Sequence, residues 1–463
     1  MNNKLFIIIL ICILSLITSF AYLEENTNAE KLPKNAKYLQ EPVFNSKIYF
    51  YESDNEFKIN VILVHGVGDD ASDIWKGLVP VLEKQFHVIY FDLPGFGRSG
   101  KEDALYSPQN YAALIKWIRD RNPDKPMYLI GHSMGGAISL CYAGTYPQSL
   151  QRLILVDAAG ILHRTAFTKN LAEAKVSELS RNKIFSDELD ILSRFIETSL
   201  LMNEMQQILP KDLSPVLENS FLRRKLLSSP QKIASVSMIY SDFSKQIENI
   251  NVPCFIIWGG KDPIAPLRTG KMLASNIQNS SLFIMPGLGH NPMIERPAEF
   301  NNLILKSLTA ESVPNQEKKS QSLNIKSITL DNRENVIIEG DYKEIKINNC
   351  RNILIKNTNA SAVKIKNSWV DMENISVNSS EVGMILEESI IEITGGVISG
   401  DTGISVSDSK VDIAGVKIEG KKAAVSSSSK SNSTIVFSVC RIRSPYNNKN
   451  IHDIIEITKE NSL

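Results

Sequence analysis

Ser133 lies in Gly131-His132-Ser133-Met134-Gly135, directly after the apolar run Met127–Ile130 and before a stretch rich in small residues. A serine hydroxyl is a weak nucleophile at neutral pH, so it needs a base beside it and donors for the oxyanion it creates. A tight strand-to-helix turn provides part of this: flanking glycines let the backbone double back, and the helix N-terminus presents free N–H groups. Gly-x-Ser-x-Gly alone can arise by chance. Here it has the strand–turn–helix setting such a nucleophile requires. His65-Gly66 ends the run Val61–Val64, so the N–H of Val67 can serve as a second oxyanion donor beside that of Met134. Trp258-Gly259-Gly260-Lys261-Asp262-Pro263 ends a later run and offers Asp262 as an orienting acid; Gly287-Leu288-Gly289-His290 follows the last run and offers His290 as the base. The order serine, acid, histidine is one in which such triads occur. Asp157, at the end of Leu153–Val156, is a competing acid.

At these residues the chain resembles the α/β-hydrolase superfamily, in the branch of lipases, esterases and monoacylglycerol lipases. Asp92-Leu93-Pro94-Gly95-Phe96-Gly97-Arg98-Ser99 is similar to that branch's loop after its fourth strand, so four separated motifs agree between residue 59 and about 305. The strand end Val156-Asp157-Ala158-Ala159-Gly160, with the segment after it, looks most like membrane-associated acylglycerol hydrolases. Dehalogenases and epoxide hydrolases of the superfamily carry an acid where Ser133 stands, which argues against both. The resemblance implies that Ser133 attacks an acyl carbon, His290 shuttles the proton, Asp262 orients His290, and water releases the acid. It implies no metal and no organic cofactor. The expected substrate is an acyl ester, lipid-like or carried on a glycan. The same three residues could instead cleave a carbon–carbon bond beside a ketone or an N-terminal peptide bond, because specificity resides in the pocket. Among the six histidines, His132 reads as structural, His65 as ordering the oxyanion loop, and His87, His163 and His452 as surface or loop residues.

The elements that must position these groups follow from the apolar pattern. Val61–Val64, Val88–Phe91, Met127–Ile130, Leu153–Val156, Phe255–Trp258 and Leu282–Met285 are short and continuously apolar, as parallel strands covered on both faces are. Helical stretches such as Ser107–Arg121 and Gly135–Tyr146 separate them, which predicts an α/β class with a mostly parallel sheet. Lys47–Tyr51 alternates like a strand. Residues 38–308 are expected to form this domain, after a linker over 22–37. From Leu162 to about Asn249 no strand run appears, and an insertion of that size predicts a helical cap over the sheet's C-terminal edge. Its apolar residues Leu200, Leu201, Met202, Met205, Ile208 and Leu209 either line an acyl pocket or form the cap's own core.

After a polar linker over 309–322 the helical period disappears. Val363, Ile365, Ser368, Val370 and Met372 are echoed by Met384, Leu386, Ser389, Ile391 and Ile393, then by Ile404, Val406, Ser409, Val411 and Ile413. Weaker echoes run through Ile345, Ile347, Cys350, Ile353 and Ile355, and forward from Ile435 to Ile442. Short strands with a period near twenty residues and no helices predict a right-handed parallel β-helix over 323–463, in which each coil buries its apolar residues by stacking on the next. A β-sandwich is the alternative; a leucine-rich repeat would need fixed leucines that are absent. Asp371, Asp401, Asp408 and Asp412 read as scattered, solvated residues, because no paired carboxylates recur among them at matching coil positions. The coils could contact a polysaccharide or cell surface, and a purely adhesive protein is the rival from a different class.

Lysine plus arginine and aspartate plus glutamate number 51 each, so no general field favours nucleic acid. Lys4, the apolar run Leu5–Ile17, and Ser19 and Ala21 read as an export signal over 1–21, with an uncleaved membrane anchor as the alternative. The expected location is extracytoplasmic. Beyond that leader stand Cys141, Cys254, Cys350 and Cys440, without metal-ligand spacing; buried free thiols are expected, a Cys350–Cys440 disulfide being the oxidised alternative.

Overall fold

The computed structural model describes residues 32–68, 70–170, 212–314, 326–427, 433–458 and 461–463. The expected leader and the six apolar cap residues between 200 and 209 lie outside the described residues, as does most of each linker. Tyr38–Leu463 form one compact unit.

The first eight strands build one sheet. These are β1 (Ala36–Gln40), β2 (Lys47–Glu52), β3 (Asn60–Val64), β4 (His87–Phe91), β5 (Met127–His132), β6 (Arg152–Val156), β7 (Cys254–Gly259) and β8 (Ser280–Met285), in the order β1-β2-β4-β3-β5-β6-β7-β8. β2 pairs antiparallel with β4, and β4 through β8 pair parallel. The continuous apolar runs are explained by burial on both faces: Val61 to Val64 and Leu153 to Val156 expose no surface. Each such side chain contributes about 1.5–3 kcal/mol by leaving water. Helices α1 (Pro108–Arg119) and α2 (Met134–Thr145) fall where the sequence placed them. Ser107 starts α1, its Oγ accepting the amide of Asn110 at 3.2 Å. Between β6 and β7 the described residues include helical residues 164–170, α3 (Pro230–Ile239) and α4 (Ser244–Asn249), and no strand. Helices α5 (Leu267–Asn276) and α6 (Pro297–Thr309) complete what the site needs.

The C-terminal region is a stack of parallel strands, β-helix-like in its register. β9 (Lys326–Asp331), β10 (Ile337–Asn348), β11 (Ile353–Lys366), β12 (Trp369–Asn378), β13 (Val382–Glu387), β14 (Ile390–Ser407), β15 (Lys410–Ser427), β16 (Ser433–Ser438) and β17 (Cys440–Arg443) pair parallel with their counterparts one coil away. β18 (Asn448–Ile451) and β19 (Ile454–Ile457) close the end antiparallel. The repeat read from sequence lines up residue on residue: Ile345, Val363, Met384, Ile404 and Val425 form one buried column, and Ile355, Met372, Ile393, Ile413 and Phe437 another. A further column, Ala360, Val377, Ile398, Ile418 and Ile442, escaped the sequence reading. The small residue at each corner is a buried ladder. The amides of Cys350, Ser368 and Ser389 donate to the Oγ of the next coil's serine, Ser368, Ser389 and Ser409, at 3.0–3.1 Å.

Two sequence expectations need correction. His87 is neither a surface nor a loop residue: it is buried in β4 against Ser53 and the carbonyl of Asn55. His163 and His452 do lie on loops, with His163 buried, the His452 side chain 6% exposed and the two rings 5.3 Å apart. Second, Asp371 and Asp412 are not scattered. Register places Asp371, Glu392 and Asp412 side by side in one outward column, with Glu392 as the link that a list of aspartates alone conceals. Asp401 instead pairs with Lys421 and Lys422 at the surface. The expected buried free thiols are found at Cys141, Cys254, Cys350 and Cys440, and the Cys350–Cys440 disulfide is not.

Candidate active site

Ser133 stands between β5 and α2 with φ 53° and ψ −121°, a conformation that costs a non-glycine residue energy and persists because its surroundings fix it. Its amide donates to Val156 O at 3.0 Å, and its carbonyl accepts from Gly136 and Ala159 at 3.0 and 3.1 Å. The flanking glycines are needed for contact: a Cβ on Gly131 would overlap Gly135 O, and one on Gly135 would overlap Val64 O. The β5–α2 elbow is thus pressed against the end of β3.

The three residues expected from separate motifs meet here. His290 Nε2 lies 2.8 Å from Ser133 Oγ, and His290 Nδ1 lies 2.7 Å from Asp262 Oδ2. With Nδ1–H donating to the carboxylate, Nε2 is left to accept the hydroxyl proton. Asp262 Oδ1 accepts the amides of Ile264 and Ala265 at 2.8 and 3.0 Å, so the loop after β7 sets its orientation. Glu295 does the same for the histidine loop by accepting from Gly289 and Asn291, at 2.9 and 3.2 Å, a role not read from sequence. His132 Nε2 donates to His290 O at 2.8 Å; burial holds its ring well below the usual histidine range, and therefore neutral.

Around the expected oxyanion donors the loop is equally fixed. His65 accepts the amide of Leu93 at Nε2, 2.9 Å, which places its proton on Nδ1, donated to Gly66 O at 2.7 Å. Burial lowers its pKa, so the ring stays neutral. Asp92 accepts from the amide and hydroxyl of Ser72 and from the amide and Nε of Arg98, tying the loop after β4 to the turn after β3. Met134 begins α2, and neither its amide nor that of Val67 donates to a backbone acceptor among the described residues. Among the described residues the two N–H groups thus have no backbone acceptor, as donors to an incoming anion require.

Asp157 ends β6 at φ 44°, fully buried, its Oδ1 accepting Gly259 N at 2.7 Å. Burial first, and then the charge of Asp262, push its carboxyl well above the usual carboxylate range. As a carboxylate its Oδ2 would be an orphan; as an acid it hydrogen-bonds Asp262. Asp157 therefore backs the acid that faces His290 and does not compete with it. No cluster of metal ligands occurs among the described residues, and no described helix is long and apolar enough to cross a membrane.

Known proteins are similar to this chain over part of its length. The rat monoacylglycerol lipase ABHD6 is 27% identical over 282 residues, covering 58% of this chain and 81% of the relative. A 2-hydroxy-6-oxononadienedioate/2-hydroxy-6-oxononatrienedioate hydrolase of Pseudomonas putida is also 27% identical, covering 56% and 91%. Among solved structures, a meta-cleavage product hydrolase superposes with a TM-score of 0.43 at 24% identity, over 59% of this chain and 97% of that one. A membrane phospholipase A superposes at 0.45 and 24%, over 66% and 98%. The family model described as alpha/beta hydrolase fold matches residues 59–297, just over half of the 463 residues. The chain belongs to the alpha/beta hydrolase fold family.

Proposed function

We propose that the chain is an exported serine hydrolase of carboxylic esters, acting through an acyl-enzyme. The observation that carries this reading is the relay Ser133 Oγ–His290 Nε2–Asp262, with contacts of 2.8 and 2.7 Å. Ser133 Oγ bonds to the acyl carbon while its proton passes to His290 Nε2, and the oxyanion faces the amides of Val67 and Met134. Collapse expels the alcohol, which takes the proton from His290. Water then gives a proton to His290 as its oxygen attacks the acyl carbon; Ser133 leaves with that proton, and the free acid is released. Asp262 holds the imidazole in the tautomer that both halves need, and no cofactor enters.

The preference for esters rests on the loop Asp92–Ser99 and on the kinship with monoacylglycerol lipase. Carbon–carbon hydrolysis is the second reading, favoured by the equally similar Pseudomonas putida hydrolase. Turnover of p-nitrophenyl esters of graded chain length, set against a vinylogous 2-hydroxy-6-oxo acid, separates them. An ester preference below tenfold would remove the first reading. Fluorophosphonate labelling that persists in Ser133→Ala would remove both. Extracytoplasmic location, with membrane association through the same segment, rests on the leader over 1–21 and is tested by fractionating the labelled band. Contact with a polysaccharide through the coils is supported by Trp369, 54% exposed, whose ring faces the guanidinium of Arg351 at 5.2 Å.

A further inference from the structure

The outward column Asp371, Glu392 and Asp412 faces Arg268 in the first turn of α5, and Lys169 also lies near Asp371 and Glu392. Its side chain is 11% exposed. Nε donates to Thr394 Oγ1 at 2.8 Å; Nη2 reaches Ile393 O, Asp412 O and Asp412 Oδ1 at 3.2, 3.1 and 3.0 Å. Nη1 lies 2.9 Å from Asp412 Oδ2 and 3.3 Å from Glu392 Oε2. The guanidinium thus has charged or polar partners on every nitrogen, from two coils, in a setting dry enough that losing them leaves a buried charge.

The coils are shaped to receive this helix. At one corner of successive coils the residues are Asn357, Asn374, Gly395, Gly415 and Val439, each with positive φ. Asn374 and Asn357 bond side chain to side chain at 3.1 Å, whereas the next two coils carry glycine. A Cβ on Gly395 would strike Ser275 of α5, and one on Gly415 would strike Met272 and Asn276. The amide ladder stops where the helix docks, and Asn276 Nδ2 donates to Gly415 O at 2.9 Å.

Helix α5 continues the loop that orients Asp262. Ile264 and Ala265 donate to its Oδ1; Ala265 O accepts Trp258 Nε1 at 2.8 Å; Thr269 N donates to Pro266 O at 2.7 Å. On the loop's other side, Asn170 Nδ2 donates to Pro263 O at 3.2 Å.

We propose that Arg268 is a positioning residue for the hydrolytic site, and that the coil column Asp371–Glu392–Asp412 is the anchor through which the C-terminal stack fixes the Asp262 loop. The proposal rests on the serine-hydrolase reading for its kinetic consequence and on geometry alone for its structural one. The stack is then part of the frame of the site as well as any binding surface it presents.

The test uses the full chain, with Arg268→Met, Arg268→Lys and, as a control on the same interface, Lys271→Met, which loses only its ion pair with Glu373. Amide hydrogen exchange is read at Ile264 and Ala265, and p-nitrophenyl ester kinetics against pH are read in parallel. In Arg268→Met both amides should exchange at least tenfold faster while β7 is unchanged, kcat should fall at least tenfold at constant KM, and the acid limb should move as Asp262 loosens from His290. Arg268→Lys should recover part of each effect, and Lys271→Met should leave both at wild-type values. A lower melting temperature with unchanged exchange and unchanged kcat would overturn the proposal. Should Arg268→Met not fold, Asp412→Asn gives the smaller change in the same direction, and no change in it counts equally against the proposal. If the wild type neither hydrolyses esters nor takes a fluorophosphonate, the functional reading fails while the exchange experiment still decides whether the column holds the loop.

Discussion

The eight-stranded sheet and the coil stack both use parallel strands, yet they treat the individual residue oppositely. In the sheet each strand end is unique: β3 leads to His65, β5 to Ser133, β6 to Asp157 and β7 to Asp262. In the stack, Met372, Ile393 and Ile413 do the same work in adjacent coils, and no one of them is singular. Chemistry therefore concentrates where strands end in the first region. In the second it is marked by departures from the repeat, such as Gly395 and Gly415 in an asparagine column or three acids on an outward file.

Several measurements can break this contrast. Ser133→Ala should lower turnover by about 10⁴-fold or more with the melting temperature nearly unchanged; a variant that unfolds instead would place the serine among structural residues. Ile355→Ala, fully buried in a coil away from Arg268, should cost about 2–5 kcal/mol in denaturant unfolding while kcat of the folded fraction holds. If it cost under 1 kcal/mol, the coils would not be close-packed.

Acid should separate the regions next. His65 and His132 are neutral when folded because burial lowers their pKa, whereas the unfolded chain protonates near 6.5. Their contribution is complete above about pH 6.5 and is lost progressively as pH falls below it. Loss of near-ultraviolet dichroism should precede loss of β signal; simultaneous loss would mean that one cooperative unit ignores the difference.

Asp157 has the opposite sign. Its folded pKa is raised, so its contribution is complete below about pH 4 and declines as pH rises toward the folded value. Asp157→Asn keeps the Gly259 bond and a donor toward Asp262 without that cost. Its melting temperature relative to wild type should rise between pH 5 and pH 8; a constant difference would mean that Asp157 ionises normally. The smallest effect belongs to Ser389→Ala, which removes one rung of the buried ladder and should cost about 1 kcal/mol. A loss several times larger would show that the rungs act together.

Most of the sheet was legible because buried parallel strands leave short apolar runs, and the site because each functional residue closes one of those runs. Glu295 and Arg268 were not legible. Glu295 is one acid in an ordinary helical turn, and what matters is its distance from two amides six and four residues back. Arg268 looks like a helix-surface cation until residues 392 and 412 fold against it. The column Ala360–Val377–Ile398–Ile418–Ile442 was missed because the bend before it, at Asn374 or Gly395, breaks the two-residue alternation. That the rings of His163 and His452 meet, 5.3 Å apart, was not legible either, because the two loops lie far apart in the sequence.

The partner of Arg268 lies 144 residues further along the chain. During synthesis the helix that carries this arginine leaves the ribosome well before Asp412 exists. Until then the guanidinium has only water, and Met272 and the groove-facing side of its helix stand bare. A nascent or C-terminally clipped molecule could contain every residue of the hydrolytic relay and still lack the support for its acid loop. Completion of the coils would then be the event that arms the hydrolytic site, and a protease cutting between coils would disarm it from a distance.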